Sequence, residues 1–577
     1  MKTTFLIITL SLITSLSLLS QTYITNVTIA DVEKLRLVSD QTVEITNDII
    51  TNIRPSRKMK IPANSIAIDG TGKFLLPGLT DAHVHFFQSG GLYTRPDVID
   101  LRNNVPYQNE INYSYQNMNK VLQRYLQNGI TNVIDVGATY NLLKHRAKFE
   151  NKDELPSIYM TGPLLTTYEP SVYENLKDDE PFRLVKTEED GRKMVQEQLP
   201  YHPDFIKIWY IASNGTTSVE VGAKKYLPII KAIIDEAHKN NLKVAVHATE
   251  RITAQLAVEN GCDFLVHSVD DEVVKDDFVQ LLKKNKIILC PTLIVHDGYV
   301  KTFGQKKVLS NFELKNADPY QLGTLLDLKH LPDTLLINNY KNASKSMESA
   351  LLKSDSISIA NLKILSDAGV LIATGTDAGN IGTLHASSYL SELKAMQKSG
   401  MSNWQILQAS TINGAKILNK ENEFGTVTIG KKANLILLDA SPIENIENIT
   451  KIDYVINNGV VFKPDTLIKE TPFALAQRQL NAYNFRNIEA FLEPYADDVE
   501  VYLYPDKLLY KGKETMRKEY SIMFENVPNL HCELKERIIQ DNIVIDKERV
   551  QFGDEIVEAT AIYHIENEKI KKVYFIQ

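Results

Sequence analysis

Between Thr22 and about Gly78, apolar and polar positions alternate in short runs, YITNVTIAD, TVEITNDIITNIRP and SIAIDGTGKFLLPG, broken by polar turns. Alternation with period two marks a half-buried strand. The same texture returns in GTVTIGKKANLILLD and KIDYVINNGVVF, ending near Phe462. The two segments are expected to join in one small discontinuous β-sandwich domain, residues 21–78 with 420–465.

Between them the period changes. Compact apolar runs, TDAHVHF, TNVIDVG, SIYMTGPLL, DFIKIWY, KVAVHA, FLVHSV, IILCPTL and LIATGTDAG, alternate with amphipathic segments such as KKYLPIIKAIIDEAHKN and SISIANLKILSDAG. The helical segments close on Gly or Asn, as helices prefer. About eight strands separated by helices over residues 79–419 predict an α/β fold, a (β/α)8 barrel. After about Lys463 a helical start, FALAQRQLNAYNFRNIEAFLEPY, is followed by alternating strands with turns at QDN, GDE and ENEK. That pattern predicts a separate α+β domain over 466–577.

Composition narrows the picture only slightly. The 577 residues, 43% hydrophobic and 24% charged, fit a globular chain of several domains. A net charge of -8 supplies no basic footprint, which argues against a nucleic-acid partner. The one basic cluster, RPSRKMK from Arg54, reads as a solvated loop. The first residues matter more. MKTTFLIITLSLITSLSLLSQ places Lys2 before an apolar run of signal-peptide length that ends in small residues around Ser20. It is too short for a convincing membrane span, and no cysteine follows it to carry a lipid. Residues 1–20 are therefore expected to be removed and the mature chain exported, to the periplasm or outside the cell. Cys262, Cys290 and Cys532 form an odd set with no pairing pattern, and read as small buried residues.

Barrel enzymes assemble their sites at the C-terminal ends of the strands. Those ends carry His83 and His85, Lys207, His247, His267 and Asp377. Residues i and i+2 of a strand share a face, so the two imidazoles of TDAHVHF leave on one side. The same rule puts Lys207 with Phe205 and Trp209 inside the barrel, where an ammonium is costly to bury. Burial frees the neutral amine, and a neutral amine can add carbon dioxide to give a carbamate able to bridge two cations. Singly, each residue also has a plain reading: a hydrogen-bonded core histidine, an aspartate shaping a turn, a lysine reaching for solvent.

As an ordered set, the H-x-H, the strand lysine, the two later histidines and the aspartate resemble the amidohydrolase superfamily, specifically its binuclear members close to prolidase-like and imidazolonepropionase-related proteins. The resemblance covers about Thr22 to Phe462. It implies one divalent metal on His83, His85 and Asp377, a second on His247 and His267, and a carboxylated Lys207 between them, with zinc as the default metal. It further implies a hydroxide shared by the metals as nucleophile, with Asp377 catalytic in moving its proton to the departing nitrogen.

The stretch RQLNAYNFRNIEAFLEPYADDVEVY resembles the cone-shaped barrel of the nuclear-transport-factor and ketosteroid-isomerase (SnoaL-like) superfamily. Asp497 and Asp498 there read as turn or capping acids, and the domain as accessory. The expected function is an exported metal-dependent hydrolase of an amide C–N bond in a dipeptide, an N-acyl amino acid or a cyclic amide. Its expected partner is a small-molecule substrate, with no membrane anchor in the mature form and homo-oligomerisation left open. One alternative is a mononuclear, imidazolonepropionase-like hydrolase with Lys207 unmodified; another is a ligand-binding protein without catalysis. Substrate contacts are expected from loops carrying Arg95, Tyr210 and His296, including a long excursion from about Val295 to Ser354. His385 reads as a surface or packing histidine.

Overall fold

In a computed structural model, residues 21–213, 215 and 217–576 are described. The expected leader, residues 1–20, lies outside them. Eight apolar runs form the barrel strands: β1 (Leu79–Val84), β2 (Ile130–Asp135), β3 (Ser157–Met160), β4 (Phe205–Trp209), β5 (Lys243–His247), β6 (Phe264–Val266), β7 (Ile288–Cys290) and β8 (Leu371–Ile372). Strands β1 to β3 pair in parallel, as do β4 to β8. Two seams close the ring through backbone hydrogen bonds outside the formal strands. Asp204 N donates to Met160 O (2.9 Å) between β3 and β4, and Ala82 N donates to Thr374 O (2.8 Å) between β1 and the chain after β8.

Side-chain alternation separates two cores. Ala82, Phe205, Phe264, Ile288 and Cys290 fill the inside of the barrel. Ile206, Ile208, Val244 and Val246 face outward into the layer between strands and helices. A buried strand needs apolar residues on both faces, which is why these runs are continuously hydrophobic. The run SIYMTGPLL does not remain one strand: it breaks after Met160, and Leu164–Thr166 pairs with β4 and with Phe182–Leu184 beyond the barrel proper. The excursion after β7 is helical rather than a loop, with helices at Val295–Phe303, Asn311–Asn316, Pro319–Thr324 and the 34-residue Thr334–Asp367.

The two outer β segments build one eight-stranded sheet. Its join is the antiparallel pairing of Phe74–Pro77 with Leu435–Leu438, over a core of Ile24, Val43, Leu75, Leu435 and Ile456. The last domain wraps a six-stranded sheet around Phe491, Tyr495, Phe524, Tyr563 and Val573. Asp497 and Asp498 are exposed in its first long strand and pair with Lys513 and Lys571. All three cysteines are free and buried. Among the described residues, no helix is long and apolar enough to cross a membrane.

Candidate metal centre

The six predicted ligand positions converge at the C-terminal mouth of the barrel. His83 is fully buried, at the end of β1, and His85 lies just beyond it. Their Nε2 atoms stand 3.3 Å apart, and each is 3.2 Å from Asp377 Oδ1. The His83 ring is 4.9 Å from that of His267, which is 4.4 Å from that of His247, centroid to centroid. Lys207 is 1% exposed and lines the same cavity. His83, His267 and Asp377 each place one ligand atom within 4.8 Å of the others.

Outer hydrogen bonds decide which ring nitrogen faces the centre. His85 Nδ1 lies 3.1 Å from the carbonyl of Gly137, which can only accept, so that nitrogen carries the proton and Nε2 presents a lone pair. His267 Nδ1 is 2.6 Å from Thr292 Oγ1. The His85 lone pair therefore points at Asp377 Oδ1 in a buried space, and among the described residues that oxygen has no hydrogen-bond partner, nor has His83 Nδ1. Such an arrangement is repulsive alone and is relieved by a cation. Histidines whose far nitrogen is held by an oxygen acceptor are the usual form of metal ligand. The residues present thus fit a divalent metal.

Charge follows the same logic. Burial pushes His83 down to about 4 and holds His247 and His267 well below the usual imidazole range, so the rings stay neutral. Burial also drives Lys207 down to about 7, opposed by the Asp377 charge. Burial alone would raise Asp377, and its carboxylate is held ionised only by positive charge on the side of His83 and His85, the place a bound cation would take. Asp377, His267 and Thr292 all adopt left-handed backbone angles, φ 56°, 75° and 50°. Positive φ in non-glycine residues is uncommon and clusters at functional sites.

The centre opens into a cavity of about 540 Å³. One wall is aromatic: the Phe182 ring lies tilted 4.8 Å from Trp209 and edge-to-face 6.3 Å from Phe87, centroid to centroid. Another side is polar, with Asp270, His296 and Asp355. His296 thus reaches the cavity, but Tyr210 does not. Following Trp209 by one residue, Tyr210 faces away from the barrel interior, and its hydroxyl donates to the Ala223 carbonyl at 2.5 Å. Period two already places it opposite Lys207, which corrects its expected role as a substrate contact. His385 is a packing residue, bonded to Tyr125 (2.9 Å) and the Gln88 carbonyl (2.8 Å) and stacked on Phe86. Sequence reasoning missed Thr292, Gly137, Tyr299 and Asn380; of these only Asn380, beside TGTDAG, carries a local signal.

Residues 74–462 match the amidohydrolase family, and residues 476–573 match the SnoaL-like domain. The chain is 24% identical to a 5-methylthioadenosine/S-adenosylhomocysteine deaminase of Carboxydothermus hydrogenoformans, over 81% of this chain and 95% of that protein. It is 22% identical to an imidazolonepropionase of Alkaliphilus metalliredigens, over 74% and 92% of the respective chains. A crystal structure of a Xaa-Pro dipeptidase superposes with a TM-score of 0.58 at 21% identity, covering 77% of this chain and all of that one. Ochratoxinase of A. niger superposes at 0.57 with 18% identity, covering 77% and 96%. The superpositions carry the fold, and the matched span carries the family: this chain belongs to the amidohydrolase family and is a hydrolase acting on carbon–nitrogen bonds.

Proposed function

We propose that the protein is an exported, metal-dependent hydrolase of an amide C–N bond in a dipeptide, an N-acyl amino acid or a cyclic amide. The observation that carries this reading is the meeting of the His83 and His85 Nε2 atoms, 3.3 Å apart, with Asp377 Oδ1, 3.2 Å from each, beneath a cavity of small-molecule size. His83, His85 and Asp377 would hold one cation and His247 and His267 a second, with zinc the expected metal. Bound divalent cations supply Lewis acidity and lower the pKa of water.

Lys207, held near neutrality by burial, is suited to take up carbon dioxide, forming an N–C bond and releasing one proton. The resulting carbamate, one negative charge shared by two oxygens, would add Lys207 to the residues that hold the cations. In hydrolysis, water oxygen bonds to the amide carbon while the C–N bond breaks. Asp377 takes the water proton and returns it to the departing nitrogen. The aromatic wall of Phe87, Phe182 and Trp209 receives an apolar group of the substrate and excludes water from that side.

A mononuclear reading has one observation in its favour, because His83, His267 and Asp377 bring three ligand atoms within 4.8 Å of one another, enough to hold a single ion. Metal analysis beside a panel of dipeptides, N-acyl amino acids and cyclic ureides separates the two. Two metals per chain, with activity lost on chelation and regained on reloading, is the expected result. One metal at full activity with an unmodified Lys207 selects the mononuclear form, and full activity in metal-free protein overturns both. Export is tested by fractionation and by N-terminal sequencing, with Gln21 expected near the mature start.

A further inference from the structure

Asp377 adopts a left-handed backbone, φ 56°, between two pinned neighbours. On one side Thr376 is bound through its amide (3.0 Å) and hydroxyl (2.7 Å) to the buried carboxylate of Asp81. On the other, Asn380 Nδ2 donates to the Asp377 carbonyl at 3.1 Å. Between them Gly379, φ 113°, lies so close to β1 that a Cβ there would stand 2.5 Å from the His85 carbonyl oxygen. The turn therefore has no slack toward the strand.

Asn380 is itself held from the cavity rim. Its Oδ1 accepts from Arg95 Nη1 (2.5 Å) and from the Tyr299 hydroxyl (2.6 Å). Two donors on one atom fix the amide orientation, since the opposite flip would set donor against donor. Arg95 Nη1 also donates to Tyr299 oxygen at 3.0 Å, which commits that hydroxyl's proton to Asn380. Arg95 Nε and Nη2 grip Asp97 at 2.8 and 2.6 Å, and Asp97 is anchored by Tyr173 at 2.6 Å. With these bonds made, the guanidinium keeps one uncommitted N–H, on Nη2. Its charge is matched by Asp97 and its geometry is spent inside the protein, a poor design for clamping a substrate carboxylate.

We propose that Asn380, locked by Arg95 and Tyr299, is a positioning residue that fixes Asp377 in its left-handed conformation and so sets the aim of the carboxylate at His83 and His85. The inference rests on the metallohydrolase reading above. Asn380→Asp keeps size and shape but replaces the donor with an oxygen that repels the Asp377 carbonyl. Arg95→Lys keeps charge but cannot serve Asp97 and Asn380 together.

Both variants should keep their metal content while kcat falls about 10- to 100-fold with KM nearly unchanged, since small misplacements of a reacting group cost rate rather than binding. The visible spectrum of the cobalt(II)-loaded variants should shift relative to wild type, reporting a re-aimed carboxylate. Wild-type protein that takes up no metal would overturn the hydrolase reading. Wild-type protein that loads metal and turns over, beside variants with the same cobalt spectrum and the same kcat, would overturn this inference alone. A loss confined to KM would equally do so, by making Arg95 and Asn380 substrate contacts.

Discussion

Lys207 shows how far one residue can be read. Its strand position, flanked by Phe205 and Trp209, puts the side chain inside the barrel, where it is 1% exposed and, among the described residues, makes no hydrogen bond, with the Asp377 charge opposing its loss of a proton. Burial makes its proton easy to lose, which is the property a carbamate-forming amine needs. Lys207→Ala should lose at least one metal and nearly all activity, whereas a short carboxylic acid added in solution should restore part of both. Lys207→Arg should restore neither, because guanidinium stays charged and cannot take up carbon dioxide. Metal analysis and turnover on each variant check this; an alanine variant with full metal content and turnover would refute the assigned role. A smaller effect is expected one bond further out. Thr292→Val removes the oxygen beside His267 Nδ1 and should weaken metal binding by about 10- to 100-fold, read by competition with a chelating dye. The residues found from sequence are those whose strand parity and strand-end position can be computed locally. Thr292, Gly137 and Tyr299 act through contacts made only after distant segments meet, and nothing in their neighbours' spacing announces them.

The strand Ile543–Phe552 carries its own pH dependence, visible once its alternation is laid out. Val544, Asp546 and Glu548 all point into the core of the last domain. Asp546 is held by a two-pronged bond from Arg537, 2.6 and 2.7 Å, whereas Glu548 makes no ion pair among the described residues and feels Arg537 only at longer range. It accepts from the Tyr563 hydroxyl at 3.1 Å, and burial, with the Asp546 charge added, pushes its carboxyl up to about 7. A raised folded-state pKa means the proton is bound more tightly in the folded form. The contribution is therefore complete below the ordinary glutamate range and is lost as pH rises through about 7. Glu548→Gln keeps an acceptor for Tyr563 and removes the charge. The unfolding transition of this domain should become flatter with pH between about 5 and 8 and move up at the alkaline end, ~1 kcal/mol being worth about 4–8 °C at this domain size. Scanning calorimetry of both proteins across that range measures it, and parallel curves would refute it. Element identity was legible wherever one face is dry. The barrel strands show as apolar runs, and so does the amphipathic end of the long helix Thr334–Asp367, whereas its first half, exposed over most of its length, has little apolar stripe and reads as part of a loop excursion.

At the scale of the whole molecule, the last domain touches no candidate ligand, yet it packs on the helices that follow the cavity-lining stretch Val295–Lys301 and back its Tyr299. Asn481 donates to the Pro319 carbonyl at 2.7 Å, and Asn487 reaches Asn311 at 2.6 Å. Phe485 and Ala490 cover an apolar cluster containing Leu92, Tyr299, Leu322 and Leu325, the same cluster that seats the Tyr299 ring. Removing residues after 465 would uncover that cluster without disturbing any hydrogen bond that closes the barrel. The truncated protein should therefore fold and bind metal as the full chain does, since its ligands lie on or just beyond strands sealed by backbone bonds. What it should lose is rim order: a lower melting temperature, faster hydrogen exchange over residues 305–331, and a several-fold poorer KM with metal content unchanged. Full-length and truncated proteins compared by metal analysis, exchange and kinetics decide the matter. Loss of metal from a truncated protein whose barrel remains folded would mean that the domain supports the centre itself. Unchanged exchange and unchanged KM would mean that the rim stands without it.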